Sequence, residues 1–292
     1  CAVDVYSRAK RCWLVHVRDF SRCWISPARV TLDDWKIRMR PNKQNGFTII
    51  ELAVVVVILG LLALITLAGV QGIQSRALRV SSANNLRILG VATADYLGEH
   101  NGRFFPYRRW SPEGGVEWWF GREAGGVGGE GDREIERNKG PLGPFIENAG
   151  GIATCPGLDQ YLGLRKAKFE GAGFGYGYNV HLGGGWFGNK PRLNLSTTKH
   201  RSADIAVFAT CAQVNTFQPP ATPDNPMIEE FYGFDSRQKT IHFRFAKKAL
   251  LLFANGSVRE AEPEEGTMDS TLDGADVGRF SPVGSGKWLG VE

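Results

Sequence analysis

Residues 47–70 read FTIIELAVVVVILGLLALITLAGV, and Glu51 is the single charged residue among them. As a helix, a segment of this length would span roughly 36 Å, which is more than the ~30 Å hydrocarbon core of a bilayer. A buried strand is far shorter than this segment, and the segment is also too long for an ordinary buried core helix. The stretch therefore predicts a transmembrane helix, and the rest of the chain is organised around it.

Basic residues are concentrated on the N-terminal side of the apolar segment. Residues 1–46 hold ten of the 35 Lys and Arg but only four of the 30 Asp and Glu, so the remaining residues carry a net charge of −1. Because Arg38, Arg40 and Lys43 lie just before the segment, the positive-inside rule places the N-terminus in the cytoplasm and the following domain outside the inner membrane. The overall charge of +5 therefore gives little support to nucleic-acid binding, and no nucleic-acid partner is expected.

Glu51 is the one ionisable side chain inside the apolar segment. A carboxylate near the centre of a bilayer costs roughly 2.5–3.5 kcal/mol, and less near an interface, so a residue of this kind indicates a function. One alternative is a carboxylate that reaches the interface and has no further role. The other is that Glu51 pairs with a positive group on a neighbouring subunit, because two opposite charges in lipid are less costly together than apart.

The sequence NGFTIIE over residues 45–51, directly followed by the apolar segment, resembles the prepilin-type cleavage and methylation segment of type IV pilins and type II secretion pseudopilins. The resemblance implies that a prepilin peptidase cleaves after Gly46 and that the new N-terminal Phe47 is N-methylated. It also implies that Glu51 neutralises the N-terminal amine of the adjacent subunit during assembly. The competing interpretation is an ordinary secretory signal, which has a shorter apolar region and is cleaved after that region.

The same resemblance implies a set of partners and a location. The partners are the prepilin peptidase, other pilin or pseudopilin subunits, an inner-membrane assembly platform and membrane lipid. The location is the inner membrane, with a single pass and an exported C-terminal domain. The implied product is a subunit of a type II secretion pseudopilus or of a type IV pilus-like filament.

The first 38 residues do not fit a short prepilin leader. Residues 39–46, MRPNKQNG, make a complete leader that starts at a methionine, whereas the given sequence begins with Cys1. We therefore expect Met39 to be the start and residues 1–38 to be upstream sequence. A long cytoplasmic leader is the alternative.

The helix is expected to continue beyond the membrane segment. No proline interrupts residues 71–100, so a helix of roughly 75 Å is predicted over residues 48–98, ending at a turn formed by Asn101-Gly102. Four apolar residues fall within an arc of roughly 80° and predict the face that packs on a domain. These residues are Leu78, Leu86, Leu89 and Tyr96.

Residues 101–292 are predicted to form a small, Gly-rich, antiparallel β domain, which gives the whole chain a pilin-like α+β fold. Strands are predicted over 203–210, 239–245, 248–254 and 256–261, and Asn255-Gly256 favours a hairpin turn. The glycines are concentrated in residues 114–151 and 163–188, which indicates long loops or short twisted strands. Among these glycines lie aromatic residues that either fill the core, as we expect, or form a binding surface: Trp110, Trp118, Trp119, Phe120 and Trp186.

The C-terminal part also resembles a large bacterial pseudopilin-like subfamily. The shared markers are Cys155-Pro156 and the Tyr-Gly-Tyr-Asn of residues 176–179. A further marker of that subfamily is a His, nine residues and then Asp-Gly. Here the chain departs from the pattern, because twelve residues separate His242 from Asn255-Gly256, and a role for His242 is therefore in doubt.

Two features could add a covalent link or a metal ion. Cys155 and Cys211 are the only cysteines after the cleavage site, and an oxidising compartment would allow a disulfide between them; two buried thiols are the alternative. Asp269, Asp273 and Asp276 could bind calcium, but their spacing differs from that of an EF-hand. We expect these aspartates to be solvated and expect no other metal or cofactor.

Enzyme motifs are mostly absent from the sequence. The five histidines lack the spacing of paired metal ligands, and no nucleophile motif is present. We therefore expect a structural subunit rather than an enzyme. The alternative is a single-pass, membrane-anchored binding domain that does not polymerise.

Overall fold

The computed structural model describes residues 46–125, 131, 133–152, 154–161, 163–169 and 174–280, without the side chains of residues 65–72 and 159. The expected upstream segment 1–38 and all of the leader except Gly46 lie outside the described residues. The chain divides into an N-terminal unit, Cys1–Ile58, and a C-terminal unit, Leu59–Glu292.

One long helix, α1, begins at Ile49 and ends at Glu99. The helix predicted over residues 48–98 is thus confirmed to within one residue at each end. In the part of the chain that the structure describes, no helix is both long enough and apolar enough to cross a membrane. The predicted membrane segment 47–70 includes residues 65–70, whose side chains lie outside the described residues.

The end of α1 is fixed by a left-handed turn. Asn101 and Gly102 have φ angles of 52° and 76°, and the Gly102 N–H donates to the Leu97 carbonyl oxygen at 2.8 Å. A hydrogen bond of this span closes a Schellman-type helix end. A Cβ on Gly102 would lie 2.4 Å from Ser196 Oγ, so glycine is required by space as well as by φ. The turn predicted at this position is confirmed.

The predicted apolar face of α1 packs on the core of the C-terminal unit. Leu86, Leu89 and Tyr96 are buried, and Leu78 is partly buried against the same core. This face therefore comes directly from the helical spacing of apolar residues in the sequence.

Among its described residues, the rest of the C-terminal unit holds short strands, one short α-helix, α2 (Gly143–Asn148), and three 3-10 helices (Arg137–Lys139, Pro156–Tyr161 and Ser202–Asp204). The strands are β1 (Arg108–Trp110), β2 (Val116–Trp118), β3 (Gly121–Glu123), β4 (Arg165–Lys166), β5 (Tyr176–Asn179), β6 (Ala206–Thr210), β7 (Ala212–Asn215), β8 (Met227–Glu230), β9 (Gly233–Phe234), β10 (Ile241–His242), β11 (Ala249–Phe253), β12 (Val258–Ala261) and β13 (Val277–Gly278).

The largest sheet has the strand order β12-β11-β6-β5-β9. Its neighbouring strands are antiparallel except for β5 and β9, which pair in parallel. The strands predicted over 203–210, 248–254 and 256–261 are confirmed as β6, β11 and β12. The domain is therefore α+β and rich in antiparallel pairs.

Two expectations about the strands need correction. The strand predicted over 239–245 is reduced to β10, because only Ile241 and His242 find a strand partner, which is β13. The sheets are also not wholly antiparallel: β4 pairs with β8 in parallel, as β5 does with β9. Both parallel pairs join strands that are far apart in the chain, so no local pattern reveals them.

Three smaller sheets are present among the described residues. The first has the order β1-β2-β3, the second the order β4-β8-β7, and the third is the pair β10-β13. In the first, β1 pairs only with β2 among the named strands, so β1 is an edge strand.

Aromatic side chains fill the core, as expected for some of the residues singled out in the sequence. Trp119 and Phe120 are buried, and the Trp119 Nε1–H donates to the Tyr232 carbonyl oxygen at 2.8 Å. Trp118 and Trp186 are half-buried. Trp110 is 83% exposed, so core filling is the wrong explanation for this residue.

Gly177 lies in β5, in close contact with Cys211 and with the backbone of Gly233. A Cβ at this position would be 2.5 Å from Cys211 Sγ and 3.0 Å from the Gly233 backbone nitrogen. Because backbone atoms of a sheet cannot move aside freely, we expect Gly177→Ala to lower the free energy of unfolding by about 1–3 kcal/mol, as overpacking does in other cores. Chemical denaturation of the purified chain measures this change.

The matched control for Gly177 is Gly98, near the end of α1. A Cβ there would meet nothing within 4 Å, and alanine favours helix over glycine by up to about 1 kcal/mol. Gly98→Ala should therefore leave stability unchanged or raise it. A loss of stability of the same size in both variants would contradict the packing argument.

Candidate functional site

The first candidate site is the N-terminal segment, residues 46–51, which lies in the N-terminal unit. Gly46 and Phe47 precede the first residue of α1, and both are exposed. A Cβ on Gly46 would meet nothing within 4 Å. Glycine at this position is therefore not demanded by the packing of the described residues.

Thr48 and Glu51 cap the start of α1. The Thr48 N–H donates to Glu51 Oε2 at 2.8 Å, and the Glu51 N–H donates to Thr48 Oγ1 at 3.2 Å. This reciprocal pair is a capping box, which satisfies two backbone donors that a helix start would otherwise leave unpaired. The capping role of Thr48 and Glu51 was not predicted, although its signal, Thr-x-x-Glu before an apolar run, is present in the sequence.

The second candidate site is a cleft of about 620 Å³ in the C-terminal unit, which we name the basic cleft. Five cationic side chains line it: Arg103, Arg108, Arg109, Lys190 and Arg192. Two aromatic rings, Trp110 and Phe187, also line it, and their exposed fractions are 83% and 73%. Sequence analysis singled out Trp110 but did not predict this grouping.

Glycines shape one wall of the basic cleft. A Cβ on Gly183 would lie 2.7 Å from the Tyr107 backbone nitrogen, so glycine lets the loop approach the segment that leads into β1. Gly184 has a φ of 87°, and a Cβ there would lie 2.4 Å from the Lys190 carbonyl oxygen. The Lys190 N–H donates back to the Gly184 carbonyl oxygen at 3.1 Å. This tight loop places Lys190 at the same cleft as the residues of β1.

Several contacts fix the cationic groups of the basic cleft. Arg108 Nε–H donates to the Trp186 carbonyl oxygen at 3.0 Å, and the Arg108 guanidinium carbon lies 4.6 Å from the centroid of the Phe187 ring. Arg109 Nε–H donates to Glu117 Oε2 at 2.6 Å. These contacts hold two of the arginines in place before any ligand is bound.

A cluster of buried charges lies in the sheet β4-β8-β7 and was not predicted. Lys166 and Glu229 are both buried, and the Lys166 Nζ lies 3.2 Å from Glu229 Oε1, an ion-pair distance without hydrogen-bond geometry. Gln213 and Asn215 donate their side-chain amides to Glu229 Oε2 at 2.5 and 2.8 Å. Burial also raises the pKa of the carboxyl group of the next residue, Glu230. The cluster is enclosed, so its role is structural.

The two cysteines after the cleavage site are both buried and free. Cys155 Sγ and Ser82 Oγ are hydrogen-bonded at 3.0 Å, and burial raises the pKa of the Cys211 thiol. The disulfide considered for this pair is not formed. The alternative, two buried thiols, describes the structure.

His242 has the surroundings of a core side chain. It is buried beside the ring of Tyr161, with centroids 4.7 Å apart. Burial, reinforced by the charge of Arg244, holds the pKa of the imidazole well below its usual value. Neither ring nitrogen makes a hydrogen bond of good geometry within the described residues, although an interaction with the Ala275 backbone acts to raise the pKa.

The aspartates considered for calcium make other contacts. Asp276 forms an ion pair with Lys247, and Asp269 Oδ1 accepts the Thr271 N–H at 2.8 Å. Asp273 is exposed. Across the residues that the structure describes, no group of three or more His, Cys, Asp or Glu is placed to hold a metal ion.

Comparison with known proteins identifies the first candidate site. The prokaryotic N-terminal methylation motif matches residues 41–67, so the chain carries a prepilin-type N-terminus, as type IV pilins and pseudopilins do. The resemblance predicted from residues 45–51 is thereby confirmed. This motif indicates a membrane-associated or exported protein. No curated protein and no solved structure matches the chain.

Proposed function

We propose that the chain is a pilin-like subunit with a structural rather than an enzymatic role. It enters the inner membrane through residues 47–70 with its N-terminus in the cytoplasm. A prepilin peptidase cleaves it after Gly46, and Phe47 becomes the N-methylated N-terminus. The subunit then assembles through α1 into a type II secretion pseudopilus or a type IV pilus-like filament. The observation that carries this proposal is the methylation motif over residues 41–67.

The exposure of the N-terminal segment supports processing and assembly. Gly46 and Phe47 lie outside α1 and are exposed, so an enzyme has access to the bond between them. The apolar side chains that follow are exposed as well, with Ile49 at 88% and Leu64 at 68%. An apolar surface of this extent requires cover, which lipid supplies before assembly and neighbouring helices supply after it.

Glu51 supports the assembly step through its charge. Cleavage after Gly46 creates a positive amine on Phe47 at the edge of the membrane. A carboxylate and an ammonium in lipid are each costly alone and less costly as a pair. We propose that Glu51 of one subunit pairs with the Phe47 amine of the next and so fixes the register between neighbouring helices.

The mature N-terminus is the direct test of processing. We expect mass spectrometry of the membrane fraction to show a chain that begins with N-methyl-Phe47, and cells that lack the prepilin peptidase to keep the leader. Gly46→Val should also keep the leader, although a side chain there meets nothing in the fold. An intact leader on the wild-type chain in peptidase-containing cells would refute the proposal.

The basic cleft favours a second candidate function. An exported domain that only binds a ligand needs a formed site, and the cleft has the size and polar groups of one. In this alternative the chain is anchored by residues 47–70 and never polymerises. The two functions differ in whether replacement of Glu51 affects incorporation into filaments.

A further inference from the structure

The basic cleft carries more positive charge than its surroundings neutralise. Of its five cations, Arg109 alone pairs with a carboxylate in the part of the chain that the structure describes, namely that of Glu117. Like charges gathered around one cleft repel each other, and a bound anion removes that repulsion. We propose that the basic cleft binds an anionic saccharide, meaning a sugar that carries carboxylate or phosphate groups.

The arginines supply the groups that recognise an oxyanion. A guanidinium presents a planar fork of N–H donors that matches a carboxylate or a phosphate. The Nε–H of Arg108 is already used by the Trp186 carbonyl oxygen, which fixes the guanidinium and leaves its terminal N–H groups for a ligand. Pre-positioning of this kind reduces the entropy lost on binding.

The exposed aromatic rings supply the second part of a sugar site. Trp110 lies on the edge strand β1, and Phe187 lies on the opposite loop. Flat aromatic faces pack against the C–H faces of sugar rings, which are the apolar sides of an otherwise polar molecule. Cations beside exposed rings therefore suit a ligand that has both oxyanions and flat apolar faces.

The size of the cleft and the overall charge favour a saccharide over a nucleic acid. A cleft of about 620 Å³ is within the usual range for small ligands and so suits a short saccharide. Single-stranded nucleic acid is bound in longer positive grooves, and its affinity rises with the number of phosphates neutralised. The net charge of −1 over residues 47–292 gives a long polyanion no general attraction.

The test uses the full-length chain in detergent and isothermal titration with four probes. Trigalacturonic acid and glucose 6-phosphate represent the carboxylate and phosphate forms of the ligand. Maltotriose is the neutral saccharide, and an oligothymidylate represents nucleic acid. We expect binding of at least one charged saccharide, weakened by salt because the contact is electrostatic, and an affinity for maltotriose lower by at least about tenfold.

Two pairs of variants separate the cleft from general surface effects. Lys190→Gln should weaken binding of the charged saccharide by about three- to tenfold, whereas Lys239→Gln, the same change at an exposed lysine outside the cleft, should not. Trp110→Ala should weaken it by at least about fivefold. Phe217→Ala, which removes another exposed ring outside the cleft, should have no effect.

Several results would overturn the proposal. These are equal affinity for the neutral and charged saccharides, no binding of either charged saccharide at millimolar concentration, and equal effects of Lys190→Gln and Lys239→Gln. Tighter binding of the oligothymidylate than of both charged saccharides would also overturn it. None of these results depends on whether the chain polymerises, so failure here is distinct from failure of the proposed filament function.

Discussion

Replacement of Glu51 by Gln should abolish incorporation of the subunit into filaments while its insertion into the membrane continues. Gln at the third helical position still closes a capping box, so the start of α1 stays formed. The carboxylate that would neutralise the Phe47 amine of the next subunit is lost. An uncompensated charge costs at most roughly 2.5–3.5 kcal/mol in lipid and less near an interface, so the association constant falls by up to roughly 100-fold at each contact.

The measurement compares the amount of subunit in sheared filaments with the amount in the membrane fraction. Thr48→Val is the matched control, because it removes the hydroxyl that accepts the Glu51 N–H but leaves the charge of Glu51. This control should cost about 1 kcal/mol at the helix start and still allow assembly. Normal incorporation of Glu51→Gln would rule out the proposed pairing and favour the anchored binding domain. Loss of incorporation in Thr48→Val together with normal incorporation of Glu51→Gln would show that the cap, and not the charge, is needed.

Replacement of Glu229 by Ala should lower the free energy of unfolding by about 3–5 kcal/mol, the range found when one partner of a buried ion pair is removed. The variant takes the carboxylate away from the buried ammonium of Lys166. It also removes the acceptor of the Gln213 and Asn215 side-chain amides. Denaturant unfolding of the purified chain, followed by tryptophan fluorescence, measures the change.

The control for Glu229 is Glu260, a carboxylate at the surface of β12. Glu260 pairs with Arg79 and Lys248, and its side chain is 35% exposed. Water and salt screen most of the attraction in an ion pair at the surface. Glu260→Ala should therefore lower the free energy of unfolding by no more than about 1 kcal/mol. If both variants lose the same stability, burial is not the source of the effect at Glu229.

The parts of the fold that could be predicted from sequence are those that local spacing determines. The helix α1, its packed face at Leu86 and Leu89, and its end at Asn101-Gly102 follow from apolar periodicity and one turn signal. The strands β6 and β11 follow from short apolar runs. In each case, the information lies within about one element of the chain.

The features of the fold and of the basic cleft that were not predicted depend on contacts between distant segments of the chain. The residues around His242 form only a two-residue strand, because the length of β10 is set by its partner β13. Glutamate is usually exposed. Glu229 is buried because Lys166, from another strand, balances its charge. The basic cleft joins residues 103–110 to residues 183–192, and no pattern in either segment alone reveals the other.

The contrast between Trp119 and Trp110 shows the same limit. Both were expected to fill the core. Trp119 lies in the turn between β2 and β3 and is enclosed because it contacts Tyr232 and Phe208. Trp110 stays exposed on an edge strand. The two differ in their contacts with distant residues, which neither local sequence reveals.

The two buried thiols of the C-terminal unit are shielded from thiol chemistry while the unit is folded. Cys155 and Cys211 are enclosed as free thiols, so no cross-link joins them. Burial also disfavours the thiolate of Cys211, which is the form that reacts with disulfides and oxidants. In the folded unit we therefore expect Cys211 to react slowly with disulfides and oxidants, even in an oxidising compartment.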